Sequence, residues 1–397
     1  MGKQADIPFA RRFDGVSGSA IREIFKLLAV PGMISFAGGN PAESALEDEL
    51  IADISREVML AHGKKLLQYG ATEGWPPYRE QTAKFLHDEI GIDVQENQIL
   101  PTTGSTQAVD LLLKALIDEG DIVLVEGPSF LGSLQAMKLY GAKLVPVDMD
   151  EGGIILGALE EAVKKHKPKL LYTVPNFQNP TGVTLLADRR KAIAEMADRY
   201  GFIVAEDDPY RGLRYSGTPQ PTIFSFDESA RVVYLTSFSK LVSPGMRVGA
   251  VVTKHPDLLR KLTIGKQSTD CHTPNPMQAV IAEYLSRGLL PEHVKTICVR
   301  YRAQLDHMMD AFASFPQGVK VQRPEGGLFV WAELPEGYDA VAMLPKAVEK
   351  GVAYVPGTHF YADGGHLNTL RLNFSNSEVA QIDKGMELLR QTILEEG

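Results

Sequence analysis

Lys240 closes the run Val232-Val-Tyr-Leu-Thr-Ser-Phe-Ser-Lys240, and Arg247 stands shortly before a second apolar run, Val248-Gly-Ala-Val-Val252. Apolar runs bounded by turn residues read as buried strands. A lysine at the mouth of such a strand lies where α/β sheets place their ligands, outside the strand's carboxyl end. Partial desolvation lowers an ammonium pKa, and the neutral amine is a nucleophile that can hold an aldehyde as a Schiff base. For a lone lysine the alternative is a solvated loop position, so the rest of the chain has to decide.

Four further stretches could serve such a lysine. Thr102-Thr-Gly104-Ser105-Thr106-Gln107 leads from a strand into a helix. Glycine and hydroxyls at a helix start make an anion site, because free amides and the helix dipole both favour a phosphate. The stretch is not a Walker sequence, and no Gly-x-Gly-x-x-Gly lies near it. Asn176-Phe-Gln-Asn179-Pro180-Thr-Gly182 reads as a turn whose Asn179 can donate to a phenolate-like oxygen. Asp207 and Asp208 end the run from Ile203, followed by Tyr210. Carboxylates at the end of an apolar strand are costly to desolvate without a partner, and a protonated heterocycle nitrogen would be one; a solvated acidic loop is the alternative. Arg371, in the alternating strand Asn368–Phe374, could fork onto a carboxylate or be an edge-strand surface cation.

The elements that must position these residues alternate. Strands are expected at 98–102, 121–126, 143–147, 169–174, 202–206, 231–237 and 248–252. Helices fit 46–61, 76–90, 105–118, 130–140, 155–166 and 186–200. Strands alternating with helices of this size imply an α/β fold whose mostly parallel, seven-stranded sheet lies between helices. Residues from about 277 to 314 are strongly helical. A helix near 340–350, strands at 352–355 and 368–374, and a closing helix over 377–394 suggest a smaller α+β domain. The expected division is 46–285 for the large domain and 286–397 for the small one, with 1–45 joining the latter.

Composition excludes several classes. The 397 residues are 44% hydrophobic and 23% charged, with a net charge of −9. That profile suits a globular protein and offers no nucleic-acid footprint. No apolar run spans a membrane and no signal core opens the chain. Cys271 and Cys298 show no metal-ligand spacing, so no metal site is expected and a reducing, cytoplasmic compartment is the simpler inference.

Taken in order, Gly104-Ser-Thr, Asn179-Pro-Thr-Gly182, Asp207-x-x-Tyr210, Ser237-x-Ser-Lys240-x6-Arg247 and Arg371 resemble the class I/II aminotransferases. These are pyridoxal-phosphate enzymes of fold type I, and the resemblance runs from Ser35-Phe-Ala-Gly-Gly39 to Arg371. It implies that Lys240 holds pyridoxal phosphate as an aldimine and shuttles the substrate proton. Asp207 would partner the pyridine nitrogen, and Asn179 and Tyr210 the ring oxygen. Phe130 sits where the family usually has a stacking tyrosine. Gly104, Ser105, Thr106, Ser237, Ser239 and Arg247 would bind the phosphate, Thr106 standing where many relatives carry Gln. Tyr69 would join them from the other subunit of a homodimer with shared active sites. Arg371 would grip the substrate α-carboxylate, with Asn179 and Gly39 nearby.

Ala20-Ile-Arg22-Glu, Leu67-Gln-Tyr69 and Asp270-Cys-His-Thr273 resemble the branch of 2-aminoadipate, kynurenine and aromatic aminotransferases, in which Arg22 would read an acidic side chain. The expected reaction moves an amino group from an L-amino acid to a 2-oxo acid such as 2-oxoglutarate, with ping-pong kinetics. A lyase or racemase on the same scaffold, or a non-catalytic regulator, are the alternatives. Regulators sharing this domain carry a DNA-binding unit of ~60 or more residues in front, longer than the 45-residue lead expected here.

Overall fold

The computed structural model describes residues 7–14 and 32–396. Arg22 lies outside the described residues. The chain runs β1 (Ile34–Ser35), α1 (Asp48–Leu66), α2 (Pro76–Phe85), β2 (Ile99–Thr102), α3 (Ser105–Leu116), β3 (Ile122–Gly127), α4 (Leu131–Leu139) and β4 (Lys143–Asp150). Then come β5 (Gly153–Ile154), α5 (Leu156–His166), β6 (Leu170–Thr173), α6 (Ala187–Tyr200), β7 (Ile203–Asp207), β8 (Val232–Ser237) and β9 (Gly249–Thr253). Three helices follow: α7 (Pro256–Asp270), α8 (Asn275–Ser286) and α9 (Leu290–Ala311). The chain closes with β10 (Lys320–Val321), β11 (Phe329–Glu333), α10 (Ala340–Lys350), β12 (Val352–Ala353), β13 (Val355–Pro356), β14 (Thr369–Asn373) and α11 (Val379–Glu396).

The large sheet has the order β2-β9-β8-β7-β6-β3-β4-β5. From β8 to β4 every pairing is parallel, whereas β9 runs antiparallel to both β8 and β2. All seven expected strands form. The sheet has an eighth, β5, a two-residue antiparallel partner of β4 and too short to show periodicity in sequence. Strands β2, β6, β8 and β9 are buried at every residue. Cover on both faces is why they read as unbroken apolar runs with no alternation.

The second sheet, β10-β11-β14-β13, is antiparallel throughout. Its strand β14 is interior, Arg371 pairing with Trp331 on one side and Val355 on the other, so Arg371 is no edge-strand surface cation. β1 pairs in parallel with β12, joining the N-terminal segment to this part of the molecule. Local chemistry agrees with these boundaries. Asp339 caps α10 by accepting from the N–H groups of Val341 and Ala342, and α6 stops at Gly201, whose φ is +79°.

The two sheets meet at the carboxyl ends of β6, β7 and β8. Ser129 N–H donates to Phe360 O at 2.8 Å, and Tyr215 N–H to Glu325 O at 2.8 Å. Among the described residues no helix is long and apolar enough to cross a membrane.

Candidate active site

A cavity of about 240 Å³ lies at that junction. Its walls include Lys240, Asp207, Tyr210, Asn179, Ser105, Thr106, Phe130, Ser237, Ser239, Arg247, Arg371 and Gly39. Residues from seven separate stretches of sequence therefore share one space, as expected where strand ends face a crevice.

Its hydrogen bonds form three groups. The first surrounds Arg247, which has a φ of +53°. Arg247 Nη1 donates to Ser239 Oγ at 3.3 Å and Nη2 to the carbonyl of Thr103 at 3.0 Å. Ser237 Oγ lies 2.9 Å from Ser239 Oγ. Between Thr103 and the first turn of α3, Gly104 has a φ of +81°, and a Cβ there would stand 2.5 Å from Arg247 Nη2. Only glycine lets backbone and guanidinium approach this closely. A helix start, two serines and an arginine thus converge as an anion cradle.

Asp207 carries the second group. Its Oδ2 accepts from the hydroxyl of Tyr172 at 2.8 Å, while its Oδ1 is buried without a partner among the described residues. Burial pushes the carboxyl up to about 7, the charge of Asp208 adding to the effect. Asp208, by contrast, does not line the cavity. Its oxygens accept from Asn176 Nδ2 at 2.7 Å and Tyr234 Oη at 3.0 Å, and Arg211 stands 3.7 Å away. Of the two acids, the first has an unmet acceptor at the cavity and the second has none to spare.

Arg371 centres the third. It is buried on β14, donating from Nη1 to Asn179 Oδ1 at 2.9 Å and from Nη2 to Ala37 O at 2.7 Å. Among the described residues its Nε has no partner. The guanidinium lies 4.1 Å from the Phe329 ring and 5.0 Å from that of Phe360. Asn179, preceding a cis proline, passes its amide to Tyr210 Oη at 3.2 Å. Burial holds Arg371 down to about 10 and raises Tyr210 to about 12, yet both keep their protons at neutral pH.

Lys240 Nζ donates to Gly39 O at 2.7 Å. Burial lowers its ammonium to about 8, with the charges of Arg247 and Arg371 adding to the effect. Near neutrality a useful fraction is the free amine.

Several supporting residues were not singled out from sequence. Besides Tyr172, Glu126 is the penultimate residue of β3 and is buried, accepting from Thr173 Oγ1 at 2.5 Å and Gln178 Nε2 at 2.9 Å. Gln178 Oε1 accepts from both the N–H and the hydroxyl of Thr181, bracing the turn that carries Asn179. A carboxylate closing an apolar strand is the signal that pointed to Asp207, and it applies equally to Glu126. The aromatic wall of Phe329 and Phe360 gave no such signal. Among the described residues two expected ones do not line the cavity: Gly104, which lies against Arg247, and Tyr69. Tyr69 is 82% exposed, edge-on to His272 at 6.3 Å; Arg22 lies outside the described residues.

Among the described residues the cavity's charged groups are three cations and Asp207, a balance that suits an anionic ligand. It can hold a phosphate, a cationic ring nitrogen, an aldehyde and a carboxylate in one place. The unpartnered Asp207 Oδ1 and Arg371 Nε are what two of those groups would satisfy.

The sequence pattern of the family "Aminotransferase class I and II" matches residues 31–389. An aromatic-amino-acid aminotransferase of Thermococcus litoralis is 43% identical over 98% of this chain and 94% of its own. The Pyrococcus horikoshii kynurenine aminotransferase structure superposes with a TM-score of 0.94 at 43% identity, covering 98% of this chain and 97% of that one. The α-aminoadipate aminotransferase of Thermus thermophilus, solved with N-(5'-phosphopyridoxyl)-L-leucine, gives 0.91 at 38% identity and the same coverage.

Proposed function

Because this chain belongs to the class I and II aminotransferases, and is thus a pyridoxal-phosphate-dependent transaminase, we propose that the cavity around Lys240 is its active site. The observation that carries this reading is the unpartnered, buried Asp207 Oδ1 in the same cavity as a lysine of lowered pKa. When bound, pyridoxal phosphate supplies an aldehyde that captures amines and a protonated ring that draws electrons from the carbon losing its proton.

The chain's residues divide the work. Lys240 would hold the cofactor through its amine, and Nζ would take the proton from the amino acid's Cα. Asp207 would keep the ring nitrogen protonated. Asn179 and Tyr210 would donate to the ring oxygen, and Phe130 would stack on the ring. Gly104, Ser105, Thr106, Ser237, Ser239 and Arg247 would receive the phosphate. Arg371, with Asn179 and Gly39, would take the substrate α-carboxylate, its planar fork matching that group in two places. Residues 46–285 would form the cofactor-binding domain, and 1–45 with 286–397 the smaller one.

The assembly in this reading is a cytoplasmic homodimer. The support is Tyr69, a large aromatic left 82% exposed on a loop that Gly70 N–H anchors to His272 Nε2 at 3.2 Å. In a second copy it would reach the phosphate.

The proposed donors are L-amino acids with long or aromatic side chains, 2-aminoadipate and glutamate included, and the acceptor is a 2-oxo acid such as 2-oxoglutarate. Phe130 and Phe329 line the cavity and suit an apolar side chain. An acidic one would need a further cation, the part given to Arg22. Assaying glutamate formed from 2-oxoglutarate with phenylalanine and with 2-aminoadipate tests this directly. Arg22→Ala should cost activity with 2-aminoadipate and spare phenylalanine. Release of ammonia without an acceptor would contradict the transaminase reading.

A further inference from the structure

Behind the Thr103–Thr106 turn stands a set of charged and polar side chains outside the cavity lining. Lys266, on α7, is fully buried. Its Nζ donates to Gln107 Oε1 at 2.8 Å and to Asp270 Oδ1 and Oδ2 at 3.0 and 2.9 Å. Gln107 Nε2 donates to Asp270 Oδ2 at 2.6 Å, and Gln107 Oε1 accepts the N–H of Thr103 at 2.8 Å. Only this orientation of the Gln107 amide satisfies all of these neighbours. The hydroxyl of Thr103 donates to Asp270 Oδ2 at 3.3 Å, and its carbonyl accepts from Arg247 Nη2 at 3.0 Å.

Every polar group of Thr103 is therefore spoken for: two by this cluster and the third by Arg247. Burying an ammonium is expensive, and an apolar residue would fill the space at lower cost. Burial lowers the Lys266 ammonium, and the carboxylate of Asp270 opposes that effect. Burial alone would raise Asp270, but hydrogen bonds from Gln107 and Lys266 hold it below the ordinary carboxylate range. Gly104 places this turn directly against Arg247, since a Cβ added there would stand 2.5 Å from Nη2.

We propose that Lys266, Asp270 and Gln107 are positioning residues that hold the Thr103–Thr106 turn, and through the Thr103 carbonyl Arg247, in the geometry that receives the cofactor phosphate. The inference rests on the reading of that turn as the phosphate site. It makes affinity for a phosphorylated cofactor depend on residues that do not touch it.

The test compares dissociation constants of pyridoxal phosphate and of phosphate-free pyridoxal. It uses the wild-type protein, Lys266→Met, Gln107→Met and Lys266→Arg. Wild type should strongly prefer the phosphorylated form. Lys266→Met and Gln107→Met should lose at least ~10-fold in affinity for pyridoxal phosphate, the size of effect that outer-shell partners exert, with pyridoxal affinity unchanged. Lys266→Arg, which keeps the charge, should retain most of the preference, and saturating cofactor should restore kcat in every variant. An unchanged preference in the two Met variants would overturn the inference, as would equal loss of both affinities. If Lys266→Met does not fold, Gln107→Met, on a partly exposed first-turn position, decides alone. A wild-type protein without a phosphate preference would instead remove the phosphate-site assignment itself.

Discussion

Arg371 Nη1 donates to Asn179 Oδ1 at 2.9 Å, tying the interior strand of the antiparallel sheet to the turn that follows β6 of the large sheet. The same guanidinium reaches Ala37 O, so three distant stretches of chain converge on one buried cation. Its Nε has no partner among the described residues.

This arrangement makes Arg371→Ala costly for substrate. A carboxylate that loses its buried partner should bind ~2–5 kcal/mol more weakly. Asn179→Ala should couple to it by ~0.5–3 kcal/mol in a double-mutant cycle on kcat/KM, because the two groups touch. Additive effects would place the carboxylate site elsewhere.

Asp207 sets a pH dependence with a definite sign. Its carboxyl, ordinarily near 4, stands at about 7 in the cofactor-free protein. The folded form therefore binds a proton that the unfolded form has released between those values, and its contribution to stability is lost as pH rises through about 7. A cationic ring nitrogen would favour the carboxylate, so cofactor uptake should release that proton. Affinity should strengthen from pH 5 to pH 7 in wild type and much less in Asp207→Asn. Cofactor titrations at both pH values, with equal slopes for the two proteins, would count against the assignment.

Gly104→Ala should be damaging out of proportion to one methyl group. Its backbone, with φ +81° and ψ 170°, lies in a region that is essentially glycine-only and costs ~1–3 kcal/mol for an alanine, and the new Cβ meets Arg247 Nη2 at 2.5 Å. The melting temperature should fall, and pyridoxal phosphate affinity should fall further than pyridoxal affinity. Wild-type affinity for both would show that the cradle tolerates a shifted Arg247.

Tyr69 tests the shared site. If it reaches a second copy, cofactor retention by the wild type should weaken on dilution below the dimer's dissociation constant. Tyr69→Ala should be weaker at high concentration and insensitive to dilution. Retention independent of both concentration and Tyr69 would leave the site complete within one chain.

Much of this architecture was legible in sequence for local reasons. The strand-and-turn grammar of Val232–Arg247 placed Lys240, Ser237, Ser239 and Arg247 together because all four lie on one short connection. Gly104 and Asn179-Pro180 were visible as punctuation between strand and helix. What stayed hidden depends on neighbours across the sheet. Tyr172 partners Asp207 only because β6 and β7 are adjacent. That Asp208 already has donors in Asn176 and Tyr234 is likewise a fact of packing. Strand β5 is too short to carry a period. Lys266 reads as one more cation on a helix until α7 is laid against α3.

The central claim is that Lys240 Nζ moves the proton in an amino-group transfer. Its most direct test is a single half-reaction. Protein loaded with pyridoxal phosphate is given phenylalanine or 2-aminoadipate with no oxo acid present, and the 2-oxo acid released is counted. Wild type should yield one 2-oxo acid per site, stop, and resume only when 2-oxoglutarate is added, while Lys240→Ala yields none at a comparable rate. Release at the wild-type rate by Lys240→Ala would contradict the assignment, and continuous release without an acceptor would contradict the transaminase.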